Sequence, residues 1–402
     1  MNKKLVITGM GAVTPVGIGV EQYWDGIISG TCGIGEITRI DTKDLPIKTA
    51  AEVKGFQPKE YLSSRLASEL DTFMQYAYVS AEEAIRDSHM DVDPLRTGII
   101  MGTALGGLSL IGNTQENLAV NGKRVGPRFL SKVMGNIAAA QFSIAHGIKG
   151  PSFTVGTACS SGGDAVTFAA MLLSSGAADA MVVMAGESAI SPLLVHSLSK
   201  AGALSKAGHS RPFDKNRDGF VIGEGGGALI LETEEHAEKR GAIVKAELLG
   251  CANNTDAHHT VAPDPDGTGA AECIHLALLQ SGLRPEEIGY INAHGTATHM
   301  GDVAETKAIK KIFGAYNVPV SSTKGATGHL MGAGGITELI ACIKAIETGI
   351  LPPNLHYEEK DAECDLNIIA NQPKIRQIKV AMSNALGFGG QNSSVIVGKY
   401  MK

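Results

Sequence analysis

Three side chains that could carry nucleophilic or acid–base chemistry lie where predicted strands give way to helices. The first is Cys159, in the turn Thr157-Ala-Cys159-Ser-Ser-Gly162, between an apolar strand (Phe153 to Val155) and a helix that ends near Gly176. A thiol at the start of a helix lies near the positive end of the helix dipole, which lowers its pKa and favours a nucleophile. The alternative is a buried cysteine that packs as a small hydrophobic residue.

Two histidines occupy comparable turns in the second half of the chain. His294 follows a predicted strand over Ile288–Ile291, and His329 follows a short strand over Val318–Ser321. Ligands of α/β proteins bind at the ends of strands. Each histidine alone also fits a structural role, but one cysteine and two histidines on strand exits are not expected by accident. We therefore treat the three residues as one candidate site.

The cysteine turn resembles the nucleophile motif of the β-ketoacyl-acyl-carrier-protein synthases, which belong to the thiolase-like superfamily of condensing enzymes. Three later segments resemble that family's other motifs, in the same order: Tyr290-Ile-Asn-Ala-His294-Gly-Thr296-Ala-Thr298, Ser322-Thr-Lys324-Gly-Ala-Thr327-Gly-His329 and Ser383-Asn-Ala-Leu-Gly-Phe388-Gly-Gly-Gln-Asn392. The similarity covers nearly the whole chain and is greatest to synthase II of bacterial fatty-acid elongation. Type III synthases have asparagine in place of one histidine.

The resemblance implies that Cys159, His294 and His329 form a catalytic triad. The thiolate would hold the acyl group as a thioester, and the two imidazoles would hold the malonyl carbonyl oxygen, which becomes an enolate when carbon dioxide leaves. By the same resemblance, Lys324 lies in the site and influences the electrostatics of His329, and Glu305 matches an acidic position that can pair with this lysine. The alternatives are a solvent-exposed lysine and a solvated helix face.

The glycine-rich segment around Phe388 matches the family's closing loop. The resemblance implies that Phe388 gates the acyl pocket and that its backbone N–H joins that of Cys159 in an oxyanion hole. The resemblance also implies four substrate-binding positions. Thr296 and Thr298 would hydrogen-bond the pantetheine arm, and Leu105 would line the pocket and affect the accepted chain length. Asn392 is the last residue of the closing-loop motif. For Leu105, ordinary core packing is the alternative.

Some positions depart from the family's pattern. Ser68 and Glu69 stand where elongation enzymes carry a basic pair that docks the acidic carrier protein. Candidates to compensate are Arg65, Lys132 and Arg211. Two further departures lie near the entrance and in the closing loop: Val261 for a usual threonine, and Gln391 for threonine or histidine. We expect the carrier contact to differ from the usual one.

The order of predicted elements repeats near residue 245, which indicates an α/β fold of two similar halves. The resemblance implies a thiolase-like five-layer αβαβα sandwich with mixed, largely parallel buried sheets. Residues 1–244 would carry Cys159, and residues 245–402 would carry His294 and His329. The resembled family also implies a homodimer, with a heterodimer of related subunits left open.

Composition excludes several classes of protein. The chain has 402 residues, 44% of them hydrophobic, and a net charge of −6, with no basic cluster for nucleic acid. Six scattered cysteines predict neither disulfides nor a zinc site, and no apolar run is long enough to cross a membrane. Gly9-Met-Gly11-Ala-Val-Thr14 lacks the third glycine of a dinucleotide fingerprint. We expect a cytoplasmic enzyme without cofactor or metal.

The function predicted is decarboxylative Claisen condensation of an acyl group on Cys159 with malonyl-acyl-carrier protein, in fatty-acid elongation. The alternative is a type II polyketide or polyene ketosynthase with a dedicated carrier. A non-catalytic partner subunit would lack the nucleophile. A thiolase acting on coenzyme A thioesters fits the His-Gly-Thr-Ala-Thr run less well, and a papain-like protease does not fit the doubled α/β pattern. The phosphopantetheine-bearing carrier must be a separate protein.

Overall fold

The computed structural model describes residues 3–401. Its strands in the first half of the chain are β1 (Leu5–Thr14), β2 (Gly17–Ile18), β3 (Gly35–Glu36), β4 (Thr49–Ala50), β5 (Thr97–Gly102), β6 (Ser152–Val155), β7 (Ala180–Ser188) and β8 (Glu224–Thr233). Those in the second half are β9 (Ala246–Thr255), β10 (Tyr290–Asn292), β11 (Pro319–Ser321), β12 (Ile350–Leu351), β13 (Asn367–Ile368), β14 (Lys374–Ile375), β15 (Val380–Gly387) and β16 (Gln391–Gly398).

The α-helices alternate with these strands, as an α/β fold requires. They are α1 (Val20–Ile28), α2 (Pro58–Tyr61), α3 (Ser64–Glu69), α4 (Thr72–Ser88), α5 (Leu108–Asn121), α6 (Phe129–Val133), α7 (Ile137–His146), α8 (Ser161–Ser174), α9 (Pro192–Lys200), α10 (Glu234–Lys239), α11 (Thr268–Ser281), α12 (His299–Phe313), α13 (Lys324–Thr327) and α14 (Gly334–Thr348). Within residues 3–401, no helix has the length and apolar character to cross a bilayer.

One mixed sheet runs through both halves of the chain. Its strand order is β13-β11-β10-β15-β16-β9-β1-β8-β7-β5-β6, and the halves meet where β1 and β9 pair antiparallel. In each half the outer strands are parallel: β5 with β6 and β7, and β10 with β11 and β15. Parallel strands end at one edge, so within the second half the turns that follow β10 and β11 open on the same side.

Helices cover both faces of each half of the sheet, which gives five layers. Helices α8 and α14 pack against each other and against strands of both halves, so they form the central layer. Helix α4 covers β1, β7 and β8 on one outer side, and α11 covers β9 and β16 on the other. Because α8 follows the Cys159 turn and α14 follows the His329 turn, this central contact brings the two turns together.

One predicted element takes a different form in the structure, and the glycines near the N-terminus have a packing role. The apolar spacing from Leu66 to Met90 predicts one helix, but the structure has two, α3 and α4, separated at Leu70, whose backbone is extended (φ −95°, ψ 139°). The glycines of the near-fingerprint lie inside β1. A side chain at Gly9 or Gly11 would put its Cβ about 2 Å from a carbonyl oxygen of α4. Those glycines therefore serve close packing of helix on strand.

Candidate active site

Cys159 lies in a strained turn between β6 and α8. The preceding Ala158 has a φ of 50°, in the left-handed region that alanine rarely adopts. Asp164, in the first turn of α8, accepts hydrogen bonds from Thr157 Oγ1 (2.6 Å) and Ser160 Oγ (2.9 Å). These bonds tie both sides of the turn to the helix, so the sulfur is held at the helix N-terminus.

His329 contacts the sulfur directly. Its Nε2 lies 3.0 Å from Cys159 Sγ, while its Nδ1 accepts the backbone N–H of Met331 at 3.3 Å. Nδ1 therefore holds the lone pair, and the proton of the neutral ring is on Nε2. Burial lowers the pKa of His329 well below its ordinary value, and the charge of Lys324 adds to this effect. The ring is neutral and presents an N–H to the sulfur.

His294 lies beside His329 on the same side of the site. The two ring centroids are 5.3 Å apart, and the ring planes are nearly perpendicular. Burial lowers the pKa of His294 well below its ordinary value, and the positive charge of Lys324 and the neighbouring His329 act in the same direction. Two neutral imidazoles in one buried corner suit the donation of two N–H groups to one carbonyl oxygen.

The predicted pairing of Lys324 with Glu305 is wrong. The ammonium of Lys324 bonds instead with the carboxylate of Glu338, on α14. Both oxygens of Glu305 are used by the backbone, since they accept the N–H groups of His294 (2.8 Å) and Gly295 (2.7 Å). Glu305 thus fixes the turn that presents His294. Lys324 is only 1% exposed, so it is no solvent-exposed lysine.

The thiol of Cys159 does not have the lowered pKa that its helix position predicts. Burial raises the pKa of Cys159 to about 11, although the Lys324 charge and a hydrogen bond from the Phe388 backbone N–H favour the thiolate. The negative charges of Glu187 and Glu338 add to the rise. Loss of solvation outweighs the positive groups, because a buried thiolate loses its water shell. The thiolate depends on the few donors that face it.

The loop between β15 and β16 reaches the nucleophile turn through its glycines. A side chain at Gly387 would place its Cβ 2.7 Å from the carbonyl oxygen of Thr157. Gly389 and Gly390 have φ values of 91° and 73°, which favour glycine. The loop can therefore bring the Phe388 N–H to the sulfur, while the Phe388 ring stays 38% exposed at the cavity mouth.

A cavity of about 180 Å³ contains the sulfur and both imidazoles. Thr296 and Thr298 line it, with their hydroxyl oxygens 3.0 Å apart. Leu105 also lines it and is half-buried, so it is not ordinary core. Asn392 lines it too, but its amide already donates to Asn254 (3.0 Å) and Asp256 (2.7 Å). Asn392 therefore braces the closing loop.

The cavity has an apolar side beyond Cys159. The residues there pack in one cluster with the cysteine and carry no polar side-chain atom that could hydrogen-bond: Ala104, Leu105, Leu194, Leu198, Phe220 and Met331. The polar residues of the lining, apart from the two histidines, are Asp256, Asp264, Thr296, Thr298 and Asn392. The cavity thus offers an apolar compartment and a polar one.

Several buried acids that shape the site were not predicted from the sequence. Asp302 accepts the N–H groups of Phe213 (2.7 Å) and Ala297 (3.1 Å), which fixes the turn between the two threonines. Glu338 and Asp164 are also buried acids that hold elements of the site and were not predicted. Their only signal in the sequence is an acid within an otherwise apolar or small-residue run, as in Ile-Thr-Glu338-Leu-Ile. Such an acid needs a buried partner.

Glu69 is not an isolated acid on the surface. Its carboxylate accepts a hydrogen bond from Arg65 Nε (3.1 Å) and lies 3.8 Å from Arg128. Beside it runs a groove lined by Ser68 and four cationic side chains, which we call the basic groove: Lys123, Arg124, Arg128 and Lys132. Arg211 pairs instead with Glu358 at 3.7 Å. The negative charge of Glu69 is compensated by its neighbours.

No metal-ligating group of three or more His, Cys, Asp or Glu side chains occurs in the stretch 3–401. All six cysteines are free thiols.

Comparison with known proteins gives consistent results. The family model "Beta-ketoacyl synthase, N-terminal domain" matches residues 2–237, and "Beta-ketoacyl synthase, C-terminal domain" matches residues 245–358. The chain is 42% identical to the 3-oxoacyl-[acyl-carrier-protein] synthase 2 of Synechocystis sp., over 99% of this chain and 98% of that one.

Solved structures match over the full length of both chains. The ishigamide ketosynthase/chain length factor has a TM-score of 0.95 and 31% identity. A chain of the structure titled "AntDE:AntF (apo): type II PKS acyl-carrier protein in complex with its ketosynthase bound to the hexaketide" has a TM-score of 0.89 and 30% identity.

Proposed function

The chain belongs to the β-ketoacyl synthase family, and from this premise we propose that it is a 3-oxoacyl-acyl-carrier-protein synthase of the type II class. It is an acyltransferase of fatty-acid elongation. It joins an acyl group to malonyl-acyl-carrier protein, releases carbon dioxide, and yields a 3-oxoacyl chain that is two carbons longer. The relative from Synechocystis carries the corresponding name.

In the first half-reaction, the sulfur of Cys159 attacks the carbonyl carbon of the acyl thioester. A new carbon–sulfur bond forms, and the bond to the pantetheine sulfur breaks, so that the carrier leaves as a thiol with the proton. The N–H of His329, the N–H of Phe388 and the charge of Lys324 stabilise the thiolate. The N–H groups of Phe388 and Cys159 would receive the oxyanion of the tetrahedral intermediate.

In the second half-reaction, malonyl-carrier protein occupies the polar side of the cavity. His294 and His329 donate to its thioester carbonyl oxygen, and this oxygen becomes an enolate as the carboxylate departs as carbon dioxide. The enolate carbon then attacks the Cys159 thioester, and the thiolate is released. Because both imidazoles are neutral, they act as donors that need no proton change.

The observation that carries this proposal is the contact of His329 Nε2 with Cys159 Sγ, with the His294 ring beside it. Intact-protein mass spectrometry would test it, with acyl-carrier proteins of increasing chain length. We expect a mass gain of one acyl group on the wild type and none on Cys159→Ala. A folded wild type that no acyl carrier can acylate would exclude the fatty-acid function.

The apolar compartment favours a hydrocarbon acyl chain. A poly-β-keto chain carries a carbonyl on every second carbon, and burial of an unpaired carbonyl costs about 1–3 kcal/mol. No side chain of this compartment can donate to such a carbonyl: Ala104, Leu105, Leu194, Leu198, Phe220 and Met331. The compartment therefore argues for alkyl or alkenyl substrates.

A type II polyketide or polyene ketosynthase remains the second candidate. The two solved structures above, one titled with a chain length factor and one with a type II PKS carrier, favour it. The apolar compartment argues against oxygen-rich chains but accepts a polyene. Competition between saturated and conjugated acyl carriers in the mass experiment separates the two functions, since the preferred chain accumulates first on Cys159.

We propose the basic groove, with Arg65 as a further base, as the docking surface for the acidic carrier protein. Four cations line the groove, and Glu69 is compensated by Arg65 and Arg128. Complementary charge of this kind raises the association rate and makes it depend on salt. Replacement of Lys123 and Arg124 by alanine should weaken carrier binding most at low ionic strength, where screening is least.

A homodimer is proposed from the exposed edge of the sheet. Strand β6 is the last strand in the order, and Phe153 on it is 56% exposed. Phe168 and Met171 of α8 are exposed as well. An open apolar edge is a site for pairing with another strand, and a second copy of β6 would cover it. Light scattering of the wild type and Phe153→Lys would test this, with a monomeric variant expected.

We further propose that residues 1–244 and 245–402 are the two ketosynthase halves, and that the enzyme works in the cytoplasm. The family models meet near this boundary. The unpaired cysteines suit a reducing compartment.

A further inference from the structure

Glu187 is a fully buried acid that the reaction does not use. It lies near the end of β7 and is 0% exposed. Within residues 3–401, no lysine or arginine forms an ion pair with it. A buried carboxylate without a cation needs several hydrogen-bond donors. Burial raises the pKa of Glu187 to about 7, although four donors oppose the rise.

The four donors come from two separate segments of the site. From the segment after β5, the donors are the N–H of Ala104 (2.8 Å), the N–H of Leu105 (3.3 Å) and Thr103 Oγ1 (3.3 Å). From the turn after His329, the donor is the N–H of Gly332 (3.2 Å). One carboxylate therefore joins the two segments.

Each segment carries a residue that faces the acyl chain or the catalytic histidine. Leu105 lines the apolar compartment. Met331, next to Gly332, also lines it, and its N–H fixes the tautomer of His329. Met331 has a φ of 48°, in the left-handed region, so its turn needs outside support. The carboxylate of Glu187 supports this turn by accepting the N–H of Gly332.

We propose that Glu187 is a positioning residue, which holds Leu105 and the turn after His329 against each other and so sets which acyl chains fit beside Cys159. The choice of acyl chains rests on the proposed function. The claim that Glu187 holds the two segments together does not depend on it. A glutamine at this position would place an NH₂ group against backbone N–H donors, so at least one bond would be lost.

Hydrogen–deuterium exchange tests the structural part without any substrate. In Glu187→Gln we expect the backbone amides of residues 103–106 and 331–333 to exchange about tenfold faster, because bonds to a charged acceptor are lost. The matched control is Glu83→Gln. Glu83 also accepts two backbone N–H groups, from Ala12 (2.9 Å) and Val20 (2.8 Å), and lies outside the cavity lining. Glu83→Gln should speed exchange only around Ala12 and Val20 and leave residues 103–106 and 331–333 unchanged.

Acylation of Cys159 tests the link to substrate choice. We would measure the ratio of acylation rates for a palmitoyl and an octanoyl carrier in the wild type, Glu187→Gln, Leu105→Ala and the double variant. If Glu187 acts through Leu105, the shift of this ratio by Glu187→Gln should largely vanish in the Leu105→Ala background. A role in folding alone would give additive effects.

The proposal is overturned if residues 103–106 and 331–333 exchange at wild-type rates in Glu187→Gln, or if the two substitutions act additively on the ratio. Should Glu187→Gln fail to fold, Glu187→Asp replaces it, because the shorter carboxylate keeps its charge but cannot reach both segments. Unchanged exchange in Glu187→Asp would then overturn the proposal. If no carrier acylates the wild type, the proposed function fails, and the exchange experiment still decides on Glu187.

Discussion

Charges are handled in opposite ways in two regions: the buried Lys324–Glu338 pair behind the cavity lining, which we call the floor, and the surface charges around Glu69 beside the basic groove, which we call the rim. On the floor, Lys324 and Glu338 face each other at 1% and 4% side-chain exposure, so their charges are little screened. On the rim, Arg65 is 83% exposed beside Glu69, and water and salt screen the pair. Single changes should therefore have large effects on the floor and small ones on the rim.

The largest effect is expected for Cys159→Ala. Loss of the only nucleophile should reduce condensation by on the order of 10⁶-fold, as for other covalent catalysts. Decarboxylation of malonyl-carrier protein should persist, because His294, His329 and Lys324 remain. Release of carbon dioxide and formation of 3-oxoacyl product would be measured side by side. Cys251→Ala is the matched control, since Cys251 is also buried with its pKa raised to about 11. Loss of both activities together would contradict the assignment.

Replacement of the histidines should separate the two half-reactions. His294→Ala and His329→Ala should each slow decarboxylation by about 10²–10³, the usual effect of one lost donor. Only His329→Ala should also slow acylation of Cys159, because only His329 contacts the sulfur. Single-turnover acylation and carbon dioxide release would be measured for each variant. Equal effects on acylation would show that the two rings are not distinguished as the geometry predicts.

The charges around the floor should move the pKa of Cys159 in opposite directions. The charge of Lys324 lowers this pKa, and that of Glu338 raises it. Lys324→Met should therefore shift the pH profile of Cys159 alkylation by iodoacetamide upward, and Glu338→Gln should shift it downward. At a fixed pH below the midpoint, alkylation slows in the first variant and accelerates in the second. Shifts in the same direction would point to loosened packing instead.

The sequence singles out Cys159, His294, His329 and Lys324, because each lies in a short motif on a strand exit. It does not predict their partners. Lys324 finds Glu338 and not Glu305, since α14 packs against the turn and both oxygens of Glu305 face backbone N–H groups. The pKa of Cys159 was also predicted in the wrong direction. The helix position is visible in the sequence, whereas burial depends on the assembled cavity.

On the rim, too, the sequence does not predict which side chains pair with each other. Glu69 reads in the sequence as an acid that repels the carrier, but the structure surrounds it with Arg65 and Arg128. Arg128 lies on the connection to α6, far away in the sequence, and no local pattern joins it to Glu69. The α/β class and the doubled order of elements follow from the periodicity. The side-chain pairs between distant segments require the fold.

The smallest effect should come from Glu69→Arg. It removes the acid but also places a third cation beside Arg65 and Arg128, so the gain in attraction is partly offset by repulsion. We expect binding of an acidic acyl-carrier protein to tighten by no more than about fivefold, with a steeper salt dependence of the association rate. Surface plasmon resonance over a range of ionic strength would measure both. Glu36→Arg, an exposed acid on β3, controls for net charge. No gain in affinity over that control would mean that the carrier docks away from Glu69, and the basic groove would then lose its role as the docking surface.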